Sequence, residues 1–266
     1  MARDDLTVKR LRHPLRLRLA QVSAIHPRSD HLVRITFRGP DLMGFVSASF
    51  DDHVKVFFPA PGESMPRLPR LDAEGQPQRV PEEERPIARD YTPRRFDPVR
   101  GELDIEFVLH DAGPASRWAA RARIGQTLGF GGPRGSFQIP TAFDWHWLVG
   151  DDSALPAIGR RLAELPADAH AQVLLAVTDP QQRLALPSAA QAEIHWLPVA
   201  DSDAVLAHLA AWRIPPGEGF AWAAGELALI RAVRMQWLER GIDKQRIRAS
   251  SYWRQGAAAT HQTLDD

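Results

Sequence analysis

Apolar and polar side chains alternate along much of the first half of the chain. Leu15, Leu17 and Leu19 are separated by Arg16 and Arg18, and Val33, Ile35 and Phe37 by Arg34 and Thr36. Val54, Val56 and Phe58 repeat the pattern, as do Leu103, Ile105, Phe107 and Leu109. A period of two sends one set of side chains to a core face and the other towards water, as in a half-buried antiparallel strand. Several such runs, with no long helical period between them, predict a small barrel or sandwich. A barrel has the advantage of leaving no unpaired sheet edge. Between Pro59 and Pro86 the alternation lapses into seven prolines and many charges, which predicts a long exposed loop over residues 59–88.

The rhythm changes near Phe143. Trp145 to Gly150 reads as a short apolar strand, and Asp151 to Leu165 as the start and body of a helix. Val173 to Val177 and Ile194 to Val199 read as strands, Ala204 to Trp212 as a helix, and Phe220 to Ala224 as a strand again. Leu227, Ile230, Val233 and Trp237 then share one helical face, with Gly241 as a stop signal, before a last strand over Ile247 to Trp253. Strands alternating with helices predict a mainly parallel sheet covered on both faces. The expected order is an antiparallel β-barrel domain over residues 12–140, a nucleotide-binding-like α/β domain over 141–256 and a flexible tail over 257–266.

Composition narrows the chemistry. The 33 basic and 33 acidic side chains cancel, so nothing favours a whole-surface attraction to nucleic acid or to an anionic membrane. There is no cysteine, which excludes disulfides, thiolate nucleophiles and cysteine-ligated iron–sulfur clusters. Met1 to Ala20 has no continuous apolar core, and no later segment approaches the roughly 20 apolar residues of a membrane span. The expected compartment is the cytoplasm. The ten histidines are scattered, without the spacing of a helical metal site, and no phosphate-loop or nucleophile-elbow sequence occurs. The glycines from Gly129 to Gly135 have the wrong spacing for a dinucleotide loop, and Pro133 suits a turn.

Five segments carry candidate chemistry. Arg89-Asp90-Tyr91-Thr92-Pro93 offers a cation, an aromatic face and hydrogen-bonding groups, and residues two apart on a strand point the same way. The run from His110 to Ala119 (HDAGPASRWA) follows directly on a strand. Its small residues permit close backbone approach, and Ser116 is expected to cap a short helix. Gly150-Asp151-Asp152-Ser153-Ala154 stands at the C-terminal end of the first α/β strand, where ligands bind in open parallel sheets. Gly225-Glu226 occupies the equivalent end of a later strand, and Ser250-Ser251-Tyr252-Trp253-Arg254 closes the series.

Together and in this order, these segments resemble the siderophore-interacting protein family, flavoproteins related to the ferredoxin–NADP reductase superfamily. The matching stretches are RDYTPR, HDAGPASRWAARARIGQTLGFGGPRGSF, WLVGDDSALPAIGRRLAELP, AWAAGE and RIRASSYWRQG. The resemblance runs from about Leu15 to Gly256. It implies a six-stranded FAD-binding barrel followed by an NAD(P)H-binding-like domain. It also implies that Arg89, Tyr91 and Thr92 hold the pyrophosphate, ring face and ring edge of FAD. His110 would lie near the cofactor, and Gly113, Ala115 and Ser116 would cradle its phosphates. Asp151, Ser153 and Ala154 would sit near the adenosine end. Asp90, Pro114 and Trp253 complete the expected cofactor set. A basic cluster receiving the anionic ferric siderophore is implied at Lys55, with Arg134 and Arg254 as its other members.

The implied activity is reduction of siderophore-bound ferric iron with FAD as carrier and NADPH, NADH or a ferredoxin as donor. Hard anionic oxygen ligands grip ferric iron, and reduction weakens that grip. A nicotinamide gives two electrons together and iron takes one, a mismatch a flavin resolves, so no side chain is expected to act as an essential acid or base. Arg231 and Arg234 are candidates for a 2′-phosphate, with a solvated helix face as the alternative. Two other functions fit less of the sequence: a flavin reductase serving another acceptor, which would need no cation at Lys55, and a non-catalytic siderophore binder, which would be colourless.

Overall fold

The computed structural model describes residues 5–110, 113–181, 183–256 and 262–264. The chain divides into two compact units, Lys9–Gln138 and Ile139–Asp266, the second also holding Met1–Val8.

The first unit contains β1 (Lys9–Arg12), β2 (Leu17–Ser29), β3 (Leu32–Arg38), β4 (Val54–Phe58), β5 (Ile87–Tyr91), β6 (Pro93–Asp97), β7 (Glu102–Val108), α1 (Pro114–Ala119), β8 (Thr127–Gly131) and β9 (Gly135–Gln138). Seven of these strands form one antiparallel sheet in the order β5-β4-β8-β2-β3-β7-β6, while β1 pairs with β9 outside it. The expected closed six-stranded barrel is therefore corrected to an open, curled seven-stranded sheet. Its two edge strands, β5 and β6, are consecutive in the chain and separated by Thr92 alone. A hairpin needs at least about two connecting residues, so these strands cannot pair with each other. The chain instead steps from one edge of the curl to the other. Inside lie Ile35, Phe37, Val56, Phe58, Ile105 and Phe107, the apolar positions of three of the alternating runs. The fourth run is corrected: on β2 it is Ala20 and Val22 that join the core and Arg18 that is buried, while Leu15, Leu17 and Leu19 are only partly buried. Strand β2 is longer than its alternation indicates because register shifts at Val22/Ala24 and Pro27/Ser29 interrupt the period.

The proline-rich segment is not the featureless loop expected. Isolated bridges join Pro59 to Pro66 and Leu71 to Pro77, and Pro66 is buried. Gly129 and Gly131 belong to β8, which leads through a turn into β9.

The second unit contains β10 (Trp145–Asp151), α2 (Leu155–Glu164), β11 (His170–Val177), β12 (Gln191–Pro198), α3 (Ser202–Ala211), β13 (Gly219–Glu226), α4 (Leu227–Glu239), β14 (Ile247–Trp253) and β15 (Gln262–Thr263). The strand order is β12-β11-β10-β13-β14-β15, parallel throughout except for the short last strand. That strand falls in the segment expected as a tail; residues 257–261 and 265–266 lie outside the described set. Trp145, Trp147 and Val149 face α3 and α4 through Leu209, Ile230 and Trp237, whereas Gly150 meets Ile158 of α2 on the other face. Both faces are thus covered, which explains the nearly unbroken apolar strands. Among the described residues no helix is long and apolar enough to cross a membrane.

Candidate functional site

Register decides what each residue of the Arg-Asp-Tyr-Thr motif can reach. On edge strand β5, Tyr91 stands opposite Val54 and Arg89 opposite Val56. Both therefore share the inward face of β4. Tyr91 packs its ring 4.6 Å from Phe107 and 6.4 Å from Phe58. Burial pushes its phenol up, against a smaller opposing effect of Arg89, so it stays neutral. Arg89 is half-buried and donates to the Ala88 carbonyl at 2.7 Å; among the described residues no carboxylate pairs with its guanidinium. A cation already committed to the inner side of a sheet edge, beside an aromatic ring, suits a pyrophosphate joined to a planar ring system. Thr92 is buried where the chain crosses between the edges.

Asp90 points the other way. It lies opposite Lys55 in the ladder, and the two carboxylate oxygens receive the ammonium at 2.9 and 3.1 Å. Lys55 is in turn opposite Gly131 of β8. Arg134 follows three residues later and donates to Gln76 at 2.7 Å. These two expected cations thus lie on one unit and share its outer face region, while exposed Arg254 follows β14 in the other unit.

Ser116 does not cap α1; Gly113 does. Ser116 is buried, its hydroxyl donating to the His110 carbonyl at 2.7 Å and accepting the His110 N–H at 2.8 Å. This pair of hydrogen bonds holds the strand end against the helix. The side chains of Ala115 and Ser116 face the core, so any contact with a phosphate comes from backbone groups. Asp111 and Ala112 lie outside the described residues. Sequence reading passed over Trp118, which lies 6.3 Å from Phe37 and 5.9 Å from Phe107. Its position three residues beyond Ala115, on the same helical face, was the available signal.

In the second unit the sheet changes direction between β10 and β13: the chain runs outward one way through β11 and β12, and the other way through β14. Asp151 and Glu226 end the two strands flanking that point, where open α/β sheets take their ligands. The Asp151 carboxylate is buried and receives four donors: Ser153 N at 2.9 Å, Ser153 Oγ at 2.5 Å, Glu226 N at 2.8 Å and Trp253 Nε1 at 2.8 Å. Burial raises its carboxyl nonetheless, the hydrogen bonds opposing. With both oxygens so engaged, the carboxylate ties three strand ends together. Gly225 belongs to this knot, because it has φ 150° and a Cβ there would stand 2.5 Å from Asp151 Oδ2. The tie fixes Trp253, whose indole is 40% exposed, a planar surface available for stacking.

The helices at this point differ. Glu226 caps α4 by accepting from Ala228 and Leu229, which places a carboxylate where an anion would bind. The α2 N-terminus, at Ala154, has no side-chain cap. Arg234 is buried and Arg231 exposed, so the two expected phosphate candidates do not share a solvated face.

An open antiparallel curl bearing an Arg–Tyr pair, followed by a parallel sheet with its switch point free of a phosphate-loop, is a two-unit architecture of known kind. The CS-b5R domains of human Ncb5or share this fold at a TM-score of 0.64 and 13% identity. The chain belongs to the siderophore-interacting protein family: residues 21–137 match the siderophore-interacting FAD-binding domain and residues 143–256 the siderophore-interacting protein domain. It is 37% identical over 248 residues to the NADPH-dependent ferric-chelate reductase of Escherichia coli, covering 92% of this chain and 96% of that one. It is 34% identical over 254 residues to the ferric vibriobactin reductase ViuB of Vibrio cholerae, covering 89% and 92%. The crystal structure of a siderophore utilization protein from T. fusca superposes at a TM-score of 0.87 with 36% identity, covering 96% of this chain and 98% of that one.

Proposed function

We propose that this protein is a ferric-chelate reductase that takes electrons from NADPH and delivers them, through FAD, to iron held by a siderophore. The reading rests on one observation: Arg89 and Tyr91 project from the same face of edge strand β5, with no carboxylate on the guanidinium among the described residues. The names of the two curated relatives support the same chemistry.

FAD, when bound, supplies the conversion of a two-electron donor's hydride into single electrons. The chain's own residues hold and surround it. Arg89 would neutralise its pyrophosphate, Tyr91 and Thr92 would hold its ring system, and the backbone of Gly113–Ala115 would hold its phosphates. His110 and Pro114 frame that segment. Asp151 shapes the loop carrying Ser153 and Ala154 and orients Trp253. Lys55 and Arg134 would attract the anionic chelate, and Asp90 moderates Lys55. Residues 12–140 serve the flavin and 141–256 the nicotinamide, in the cytoplasm, where that donor is available.

Substituting Arg89→Ala should give a folded protein that purifies without yellow colour; a fully flavin-loaded variant would rule out the pyrophosphate assignment. Anaerobic stopped-flow on the holoprotein tests the reaction itself. NADPH should bleach the flavin and a ferric siderophore should restore its colour. Bleaching by a reduced ferredoxin and not by NADPH would overturn the donor, and failure of the ferric chelate to reoxidise would overturn the acceptor.

A further inference from the structure

The 59–86 segment has a built structure over one particular part of the curled sheet. Its tip is a tight turn: Asp72 N donates to the Gln76 carbonyl at 2.9 Å and Gln78 N to the Arg70 carbonyl at 2.8 Å. The Asp72 side chain accepts from Glu74 N and Gln76 N at 3.1 and 2.7 Å. Arg67 adds an ion pair to Glu63 at 2.5 Å and a bond to the Glu83 carbonyl at 3.4 Å, drawing the two ends of the segment together.

Two anchors fix where this tongue lies. At Gly129 of β8 an added Cβ would stand 2.3 Å from Leu68 Cδ2 and 3.2 Å from Phe57, so the missing side chain is the seat into which Leu68 fits. Gly129 lies opposite Phe57, and Gly131 opposite Lys55. Residues paired across a ladder share a face, so Leu68 sits on the same outer face as Lys55. The second anchor is Gln76, whose Oε1 accepts from Arg134 Nη2. The tongue therefore runs from above Gly129 to Arg134, alongside the strand position occupied by Lys55. It touches one of the two cations, Arg134, directly and shares an outer face with the other.

We propose that residues 59–86 form the wall that selects ferric chelates by bulk, with Gln76 setting the direction of the Arg134 guanidinium. This rests on the reading above that Lys55 and Arg134 receive the chelate. An arginine aims hydrogen bonds from a rigid planar fork, so holding one amino group determines where the other donors point. A proline-rich strip pinned at Leu68 and Gln76 presents a fixed edge at little further entropic cost, as discrimination by size requires. Gln76 is a positioning residue, acting through Arg134.

The test compares KM for a bulky ferric tris-catecholate with KM for ferric citrate in the flavin-loaded protein. Lys55→Ala should raise both constants together. Gln76→Ala, and a variant with residues 70–78 replaced by a short Gly-Ser turn, should change the ratio of the two by about five-fold, the size expected for one exposed charge-assisted contact. Turnover at saturation should hold in Gln76→Ala, because the electron path is untouched. If Lys55→Ala and Arg134→Ala leave both constants unchanged, the cationic subsite itself is wrong and the wall falls with it. If they raise both while the two tongue variants leave the ratio unchanged, the wall alone is overturned. Flavin absorbance confirms that each variant is folded and loaded.

Discussion

His146 sits on β10 with its ring 6.1 Å from Phe143 and almost no exposure. Burial, and then the nearby Arg161, lower its pKa to about 3 from an ordinary 6.5. Arg161 is itself buried, lowered to about 10 by the same desolvation, and is held by the Ile139 and Pro140 carbonyls at 3.0 and 2.6 Å. Between those two histidine values the unfolded chain binds a proton that the folded chain refuses. The histidine's share of stability is therefore whole above about pH 6.5 and drains away as pH falls towards 3, at roughly 1.4 kcal/mol per pH unit. Replacing His146 by Leu should flatten this acid limb, and melting temperatures of both proteins between pH 7 and pH 4.5 will show it. Parallel acid limbs would mean that the histidine is protonated in the native state. Neither residue was singled out from sequence: a histidine among tryptophans gives no sign of burial until the neighbouring strands are placed.

At the scale of elements, the strand ends β10, β13 and β14 are joined by one carboxylate. Asp151→Asn would keep the size of the side chain but set an amide N–H against donors that now meet an oxygen. The loss should be about 3 kcal/mol, as for buried donors left without an acceptor. Urea unfolding monitored by tryptophan fluorescence measures it, and a change below about 0.5 kcal/mol, the ordinary scale for an undistinguished site, would show that the knot is not holding the strand ends. The element-level contrast in legibility is instructive. Strand β14 was read to its boundaries, because Ile247 to Trp253 lies between clear turn signals. Strands β5 and β6 were read as a single motif because only Thr92 separates them, and Pro93, the break between them, is itself part of the motif. Asp90, expected with the cofactor set, is carried by strand alternation to the outer face against Lys55. The Ser116 cap failed for a related reason: the serine lies inside the helix, where its hydroxyl bonds back to the preceding strand end.

For the whole molecule, the proposed function gives the two units separate ligands. FAD added to apoprotein should slow amide hydrogen exchange first in Ile87–Tyr91 and Gly113–Ala119, and NADPH should slow it around Glu226. Saturation with FAD at about 100 times its Kd would add about 2.7 kcal/mol to stability, readable as a rise in melting temperature. Protection by FAD confined to the second unit would invert the assignment. What the sequence determined by itself was the inward-facing apolar positions of β3, β4 and β7, the order of elements from β10 to β14, and the family, because periodicity and short motifs are local and survive without a fold. What only the tertiary structure decided was which motif residues face a ligand and which face the protein. The open edge at Thr92, the Lys55–Asp90 pair, the four donors on Asp151 and the seating of Leu68 over Gly129 all join residues distant in the chain or depend on strand register. A register shift of one residue reverses every side chain on a strand, and that choice is made by the packed core as a whole.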